Sequence, residues 1–173
     1  SPAGMSDVRG ELYIAKEPVA ERIAALDLLG GPESFPAYPA GWAAASNAPL
    51  RWYKSGSHEG GVHAPMIVSW PKGGIEGGTV RRQFHHVSDI APTLFDYIDA
   101  EHPVFEGASF RYAIEDATAV TRKTEQLFEA TGNRALWKDG WKAVTRHKPG
   151  TPFEADQWEL FHLDADFSEA NDL

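Results

Sequence analysis

The apolar positions of this chain follow two different periods, and the change between them comes late. Val19, Ile23 and Leu26 recur at helical spacing, Pro18 suits a first turn and Gly30-Gly31 closes the segment, so a helix is predicted over Pro18 to Leu29. Pro32 to Pro49, rich in proline and aromatic residues (Phe35, Tyr38, Trp42), keeps neither period and reads as a long loop of functional or interface character. Met66-Ile67-Val68-Ser69-Trp70 is almost unbroken in its apolarity, the pattern of a short strand buried on both faces of a sheet, and Pro71-Lys72-Gly73-Gly74 stops it. Val87 to Ala100 returns to helical spacing through Ile90, Leu94, Tyr97 and Ile98. Ser88 is the expected N-cap there, Asp89 suits the positive helix end, and Pro92 falls where a first turn tolerates it. Phe105 to Thr121 is a connector of mixed character.

From Gln126 onward the period becomes two. Gln126–Ala130, Arg134–Lys138, Trp141–Thr145 and Trp158–Leu163 read as four short strands, with Asp139-Gly140 a strong hairpin signal between the second and third. A compact antiparallel sheet is expected from them, in a small C-terminal subdomain (105–173) following an α/β portion (1–104). No repeat or low-complexity tract interrupts the chain.

Composition narrows the classes. The 173 residues, 42% apolar and 12% aromatic, suffice for a folded core. No apolar run approaches the ~20 residues of a bilayer span. The start, Ser1-Pro2-Ala3-Gly4-Met5, has no basic region or apolar core of a secretory signal and reads as a truncation point. A net charge of −9 argues against nucleic acid or an anionic membrane as partner. The absence of cysteine removes disulfides, thiolate metal sites and a cysteine nucleophile, and leans the expected compartment towards the cytoplasm. Thr151 to Leu173 holds seven acids and no Lys or Arg, the composition of a solvated acidic tail, or of one lying against the mostly basic stretch Arg122–Lys148 before it.

Candidate chemistry concentrates in Asn47 to Gly61, where a lysine, a histidine, a carboxylate and a glycine pair share one aperiodic run beside the apolar segment. Lys54, flanked by Trp52 and Tyr53 on a glycine-hinged loop, offers a compact charge and three donors to a tetrahedral oxyanion; the alternative is a surface lysine whose stem rests on the aromatics. His58 is a candidate for substrate contact or for an oriented scaffold role. Glu59, just before Gly60-Gly61, is expected to accept backbone N–H groups and fix the loop. His85, His86 and Asp89 invite a metal reading, but adjacent residues point apart and no fourth ligand follows, so a histidine tucked under the helix start fits better. No P-loop, nucleophile-elbow serine or dinucleotide glycine fingerprint occurs.

Taken in order, these pieces resemble the C-terminal third of a type I sulfatase of the alkaline-phosphatase superfamily. The order runs Leu28-Leu29-Gly30-Gly31-Pro32, Tyr38-Pro39-Ala40-Gly41-Trp42-Ala43, Asn47-Ala48-Pro49-Leu50 and Tyr53-Lys54 to Gly61. It continues through Ala64-Pro65 to Trp70-Pro71, His86 to Leu94, Gly140 to Val144, Trp158 to Leu163 and Asn171-Asp172-Leu173. The Tyr-Pro-x-Gly-Trp-Ala piece is most similar to the bacterial arylsulfatase branch. The resemblance implies hydrolysis of a small-molecule sulfate ester by a formylglycine nucleophile and a calcium ion. It places Lys54, the lysine of a Lys-x-x-x-(His/Tyr)-Glu-Gly-Gly loop, on the sulfate. The departures are equally plain: there is no Cys, no Ser-x-Pro-x-Arg and no Asp-Asn-Gly calcium segment, and Asn47-Ala48-Pro49-Leu50-Arg51 has Asn where the modifiable residue belongs. Nucleophile and calcium ligands are therefore expected on an N-terminal part outside this chain, its chief partner, and the chain alone is expected to be inactive. The alternatives are a phosphodiesterase or phosphonate monoester hydrolase of the same superfamily, and a noncatalytic module using its six Trp and five Tyr as a binding surface.

Overall fold

A computed structural model of the chain describes residues 18–34, 40–75 and 77–173. They fall into two compact units, one formed by the described residues up to Ala64 together with Leu127–Leu173, the other by Pro65–Gln126.

The first unit is organised by a four-stranded sheet in the order β1-β2-β3-β4, with β1 Glu125–Ala130, β2 Asn133–Lys138, β3 Trp141–Thr145 and β4 Trp158–His162. These are the four strands expected from the period-two pattern. Asp139 and Gly140 both take positive φ, 46° and 85°, as a two-residue hairpin matching the strand twist requires, and the register sets Lys138 against Trp141. Ala135 then faces Val144, and Lys142 faces both Trp137 and Phe161. Ala135, Val144 and Phe161 are fully buried and form the core, with Phe128 and Leu163 packed against it.

Upstream, the predicted first helix is shorter than its pattern: α1 covers Val19–Ala24, and a 3₁₀ turn over Leu26–Leu28 takes the rest. The expected loop from Pro32 to Pro49 contains a helix, α2, at Ala40–Asn47; residues 35–39 lie outside the described part. The alanines of Ala40-Gly41-Trp42-Ala43-Ala44-Ala45 supply helix propensity that the aromatic and proline content masked. A four-residue helix, α3, follows at Glu59–Val62.

In the second unit, a 3₁₀ turn at Val87–Asp89 leads into α4, Ile90–Ile98, and α5 occupies Arg111–Glu115 within the stretch read as a connector. The cap is His86 rather than Ser88: its Nδ1 accepts from the Ser88 N–H, while the Asp89 carboxylate accepts from the His86 N–H at 2.8 Å. Asp89 is buried and also takes the Ala108 N–H at 3.0 Å and the Lys123 ammonium at 2.8 Å. Burial pushes its carboxyl up, but Lys123 and the two backbone donors outweigh this and hold it below the ordinary carboxylate range. Met66–Trp70 departs from expectation: it forms no strand, and Ile67 is 92% exposed. The run is apolar enough for a sheet interior, but a strand also needs neighbours for its amides, and among the described residues none pairs with it. No helix among the described residues is long and apolar enough to cross a membrane.

Candidate functional site

The loop carrying Lys54 belongs to the sheet unit and is closed on itself. The Gly60 N–H donates to the Arg51 carbonyl at 2.9 Å, the Gly56 N–H to the Tyr53 carbonyl at 3.0 Å, and Asn47 Nδ2 to the Trp52 carbonyl at 2.9 Å and to the Gly60 carbonyl. A Cβ on Gly60 would lie 2.1 Å from the Trp52 carbonyl oxygen, and one on Gly61 2.0 Å from that of Gly56. The glycine pair is thus a point of backbone contact, not the hinge its composition suggests. Closure forces Trp52 and Ser55 into the left-handed region, at φ 63° and 76°. Held by so many bonds, non-glycine residues persist there despite the steric cost.

The base of the loop is then pinned to the inward face of the sheet. Ser57 Oγ donates to the Asn133 carbonyl at 3.0 Å, and Asn133 Nδ2 returns a bond to the Ser55 carbonyl at 2.7 Å. His58 is wholly buried beside Phe161, with Nε2 2.9 Å from Glu159 Oε2. Burial favours the neutral imidazole and holds its pKa below the ordinary value, against the opposing pull of Glu159. Neutral His58 therefore donates through Nε2–H, leaving Nδ1 as a buried acceptor without a partner among the described residues. The same Glu159 takes Arg51 at 2.7 Å on its other oxygen.

Glu59 fixes the loop by a route different from the expected backbone amides. Its Oε1 accepts from Lys142 Nζ at 2.7 Å and its Oε2 pairs with His63 Nδ1 at 2.8 Å, while its own N–H donates to Glu169 Oε2 at 2.7 Å. Glu169 Oε1 lies 3.0 Å from the same ammonium, an ionic contact without hydrogen-bond alignment. Lys142 and Glu169 are fully buried. Burial raises the Glu169 carboxyl above the ordinary range. Burial also pushes Glu59 upward, but the His63 bond and the Lys142 charge prevail and hold it low; His63 is raised in return by Glu59.

Lys142, Glu159 and Glu169 are the residues that pattern reading missed. A signal existed for Lys142 and Glu159: each shares the parity of the buried position two residues on, Val144 and Phe161, and so lies on the inward face. No periodic signal marks Glu169, which sits at φ 56° beyond the last strand. The acidic tail is correspondingly not all solvated, since Asp156, Glu159 and Glu169 are paired with Arg134, Arg51 and Lys142.

Lys54 itself is exposed, and among the described residues nothing hydrogen-bonds or ion-pairs with its ammonium. Trp52 and Tyr53 beside it are half-buried and meet edge to face at 6.3 Å. The loop thus holds a cation unpaired among the described residues, while His58 is buried and bonded through Nε2 to Glu159. In the other unit, His86 caps a helix turn and His85 lies against Phe110 and Tyr112, so with Asp89 bound to Lys123 the three do not converge on a metal.

No family model matches the chain. It is 30% identical over 169 residues to an uncharacterized sulfatase of Schizosaccharomyces pombe, a match covering 91% of this chain and 30% of that protein. It is 35% identical over 72 residues to an arylsulfatase of Klebsiella aerogenes, covering 41% of this chain and 15% of that enzyme. The chain thus spans less than a third of the length of these curated relatives. The longer match takes in the whole middle of the chain, the Lys54 loop included. Together the two relate this chain to sulfatases.

Proposed function

We propose that this chain is the C-terminal part of an alkaline-phosphatase-like sulfatase of the arylsulfatase branch, and that Lys54 meets the sulfate of a sulfate ester. The observation that carries this is an exposed ammonium, without a partner among the described residues, on a loop locked by backbone contact and by a buried ion cluster. Negative charge shifts among the sulfuryl and bridging oxygens as the ester bond breaks, and a fixed cation lowers that barrier only if it need not reorganise. His58, Glu59 and Lys142 hold the loop's base, whereas Lys54 is exposed and has no bonded partner among the described residues, which supports its role towards a ligand. The exposed apolar run Met66–Trp70 supports the same reading, since it is a surface that a larger α/β domain would cover.

This chain's own residues do not fit the other two elements of such a site. It has no cysteine from which formylglycine could be made, and among the described residues no three His, Asp or Glu side chains gather as metal ligands would. The nucleophile and calcium ligands are accordingly proposed to lie on another part of the intact enzyme, and this chain supplies the anion-binding wall. In the intact enzyme Lys54→Ala is expected to lower turnover of 4-nitrophenyl sulfate by roughly 10²–10³-fold, with the unfolding midpoint unchanged. Near-normal turnover by the folded variant removes Lys54 from the site, and robust turnover by the 173-residue chain alone refutes the division of the site. Faster hydrolysis of a phosphodiester or phosphonate monoester than of the sulfate would favour the sister activity.

A further inference from the structure

Arg146, just beyond β3, lies with its guanidinium carbon 3.7 Å from the centre of the Trp52 ring. It is exposed, and among the described residues no carboxylate pairs with it, although the chain carries 25 acids against 16 Lys and Arg. Two other arginines of this unit, Arg51 and Arg134, are tied to acids at 2.7 and 2.6 Å. Arg146 differs from these two: its guanidinium is oriented by an aromatic face, and among the described residues no carboxylate takes its in-plane N–H donors. The platform is itself built at a cost, since Trp52 holds a left-handed backbone through the Asn47 and Gly60 contacts.

Trp52 precedes Lys54 by two residues, so their Cα atoms are within about 7 Å of one another by chain geometry alone. A stacked guanidinium and an ammonium unpaired among the described residues thus border one short stretch of loop. We propose that Arg146, held on Trp52, is the second cation of the Lys54 face, and that the site takes a sulfate ester whose organic part carries a further anionic group, a carboxylate or second sulfate. This rests on Lys54 as the sulfate-binding group. A carboxylate or sulfate matches the planar fork of arginine, whereas Lys54 meets the tetrahedral ester as a point charge. Trp52 and Arg146 would then select among sulfate esters, with no part in breaking the bond.

The test compares two non-hydrolysable anions, 4-sulfobenzoate with two charges and benzenesulfonate with one, by titration calorimetry on the intact protein. The dianion is expected to bind about ten- to a hundredfold more tightly, the scale of one charge-assisted hydrogen-bonded pair. Arg146→Ala should abolish that preference while leaving benzenesulfonate binding within about twofold, and Arg146→Lys should restore only part of it. Trp52→Leu should act like Arg146→Ala although the arginine remains, and Trp52→Phe, which keeps an aromatic face, covers the case where leucine disturbs the loop. Equal binding of the two anions by the unaltered protein, a preference unchanged in Arg146→Ala, or no binding of either overturns the proposal. Failure of the sulfatase reading shows separately, as absent turnover of 4-nitrophenyl sulfate with the dianion preference intact.

Discussion

Lys142→Met asks directly what the buried cluster does. The substitution preserves length and apolar bulk and removes one charge, leaving Glu59 and Glu169 facing each other without the ammonium that now sits 2.7 and 3.0 Å from them. Carboxylate oxygens each that close to one nitrogen are within about 6 Å of each other, and at an effective dielectric of about 20 their repulsion is about 3 kcal/mol. Removing one member of a buried ion group costs roughly 3–5 kcal/mol in general, because the remaining charge stays desolvated. The two routes agree, and the loss is a large part of the ~5–15 kcal/mol that holds a domain together. The variant can relieve itself by protonating Glu169, whose carboxyl burial already pushes up. A carboxyl with a raised folded pKa binds more protons folded than unfolded, so stability falls as pH rises from the unfolded value through the folded one. The deficit of Lys142→Met should therefore grow between pH 5 and pH 8. Urea unfolding at both pH values, with Lys142→Met/Glu169→Leu as control, measures it; the double variant should recover much of the loss. A deficit below about 1 kcal/mol, or one that does not change with pH, would mean that Lys142 contributes packing and no charge to this core.

Gly61→Ala places a methyl group 2.0 Å from the Gly56 carbonyl oxygen, so the loop must open; the expected cost is about 1–3 kcal/mol by urea unfolding, the range of overpacking, and a neutral effect would mean that the loop is not closed as described. His58 has its folded pKa depressed by burial, so stability is lost as pH falls below about 6.5. His58→Gln should flatten that limb of the stability–pH curve, whereas His63, raised by Glu59, contributes in the opposite sense. An unchanged acid limb in His58→Gln would place the titration elsewhere.

Much of this molecule could be read in one dimension. The period of two along 126–163 requires alternate residues to face opposite sides, and Asp139-Gly140 can turn in only a few ways, so the strands and the hairpin followed from local rules. The run ending in Glu59-Gly60-Gly61 marked the candidate loop because that combination has little local reason to exist. Pattern could not supply the partners. Lys142 counts as a polar residue in an alternating strand until the loop and Glu169, from opposite directions along the chain, bring carboxylates to it. His58 reads as available chemistry until the sheet buries it against Glu159, and Met66–Trp70 reads as interior because apolarity states what a segment prefers and not what covers it. Charge compensation and burial are sums over neighbours distant in sequence, and only the tertiary structure carries out that sum. It left Lys54 and Arg146 without an acid partner among the described residues, and tied Asn47, Ser57, His58 and Glu59 into the bonds that hold the loop.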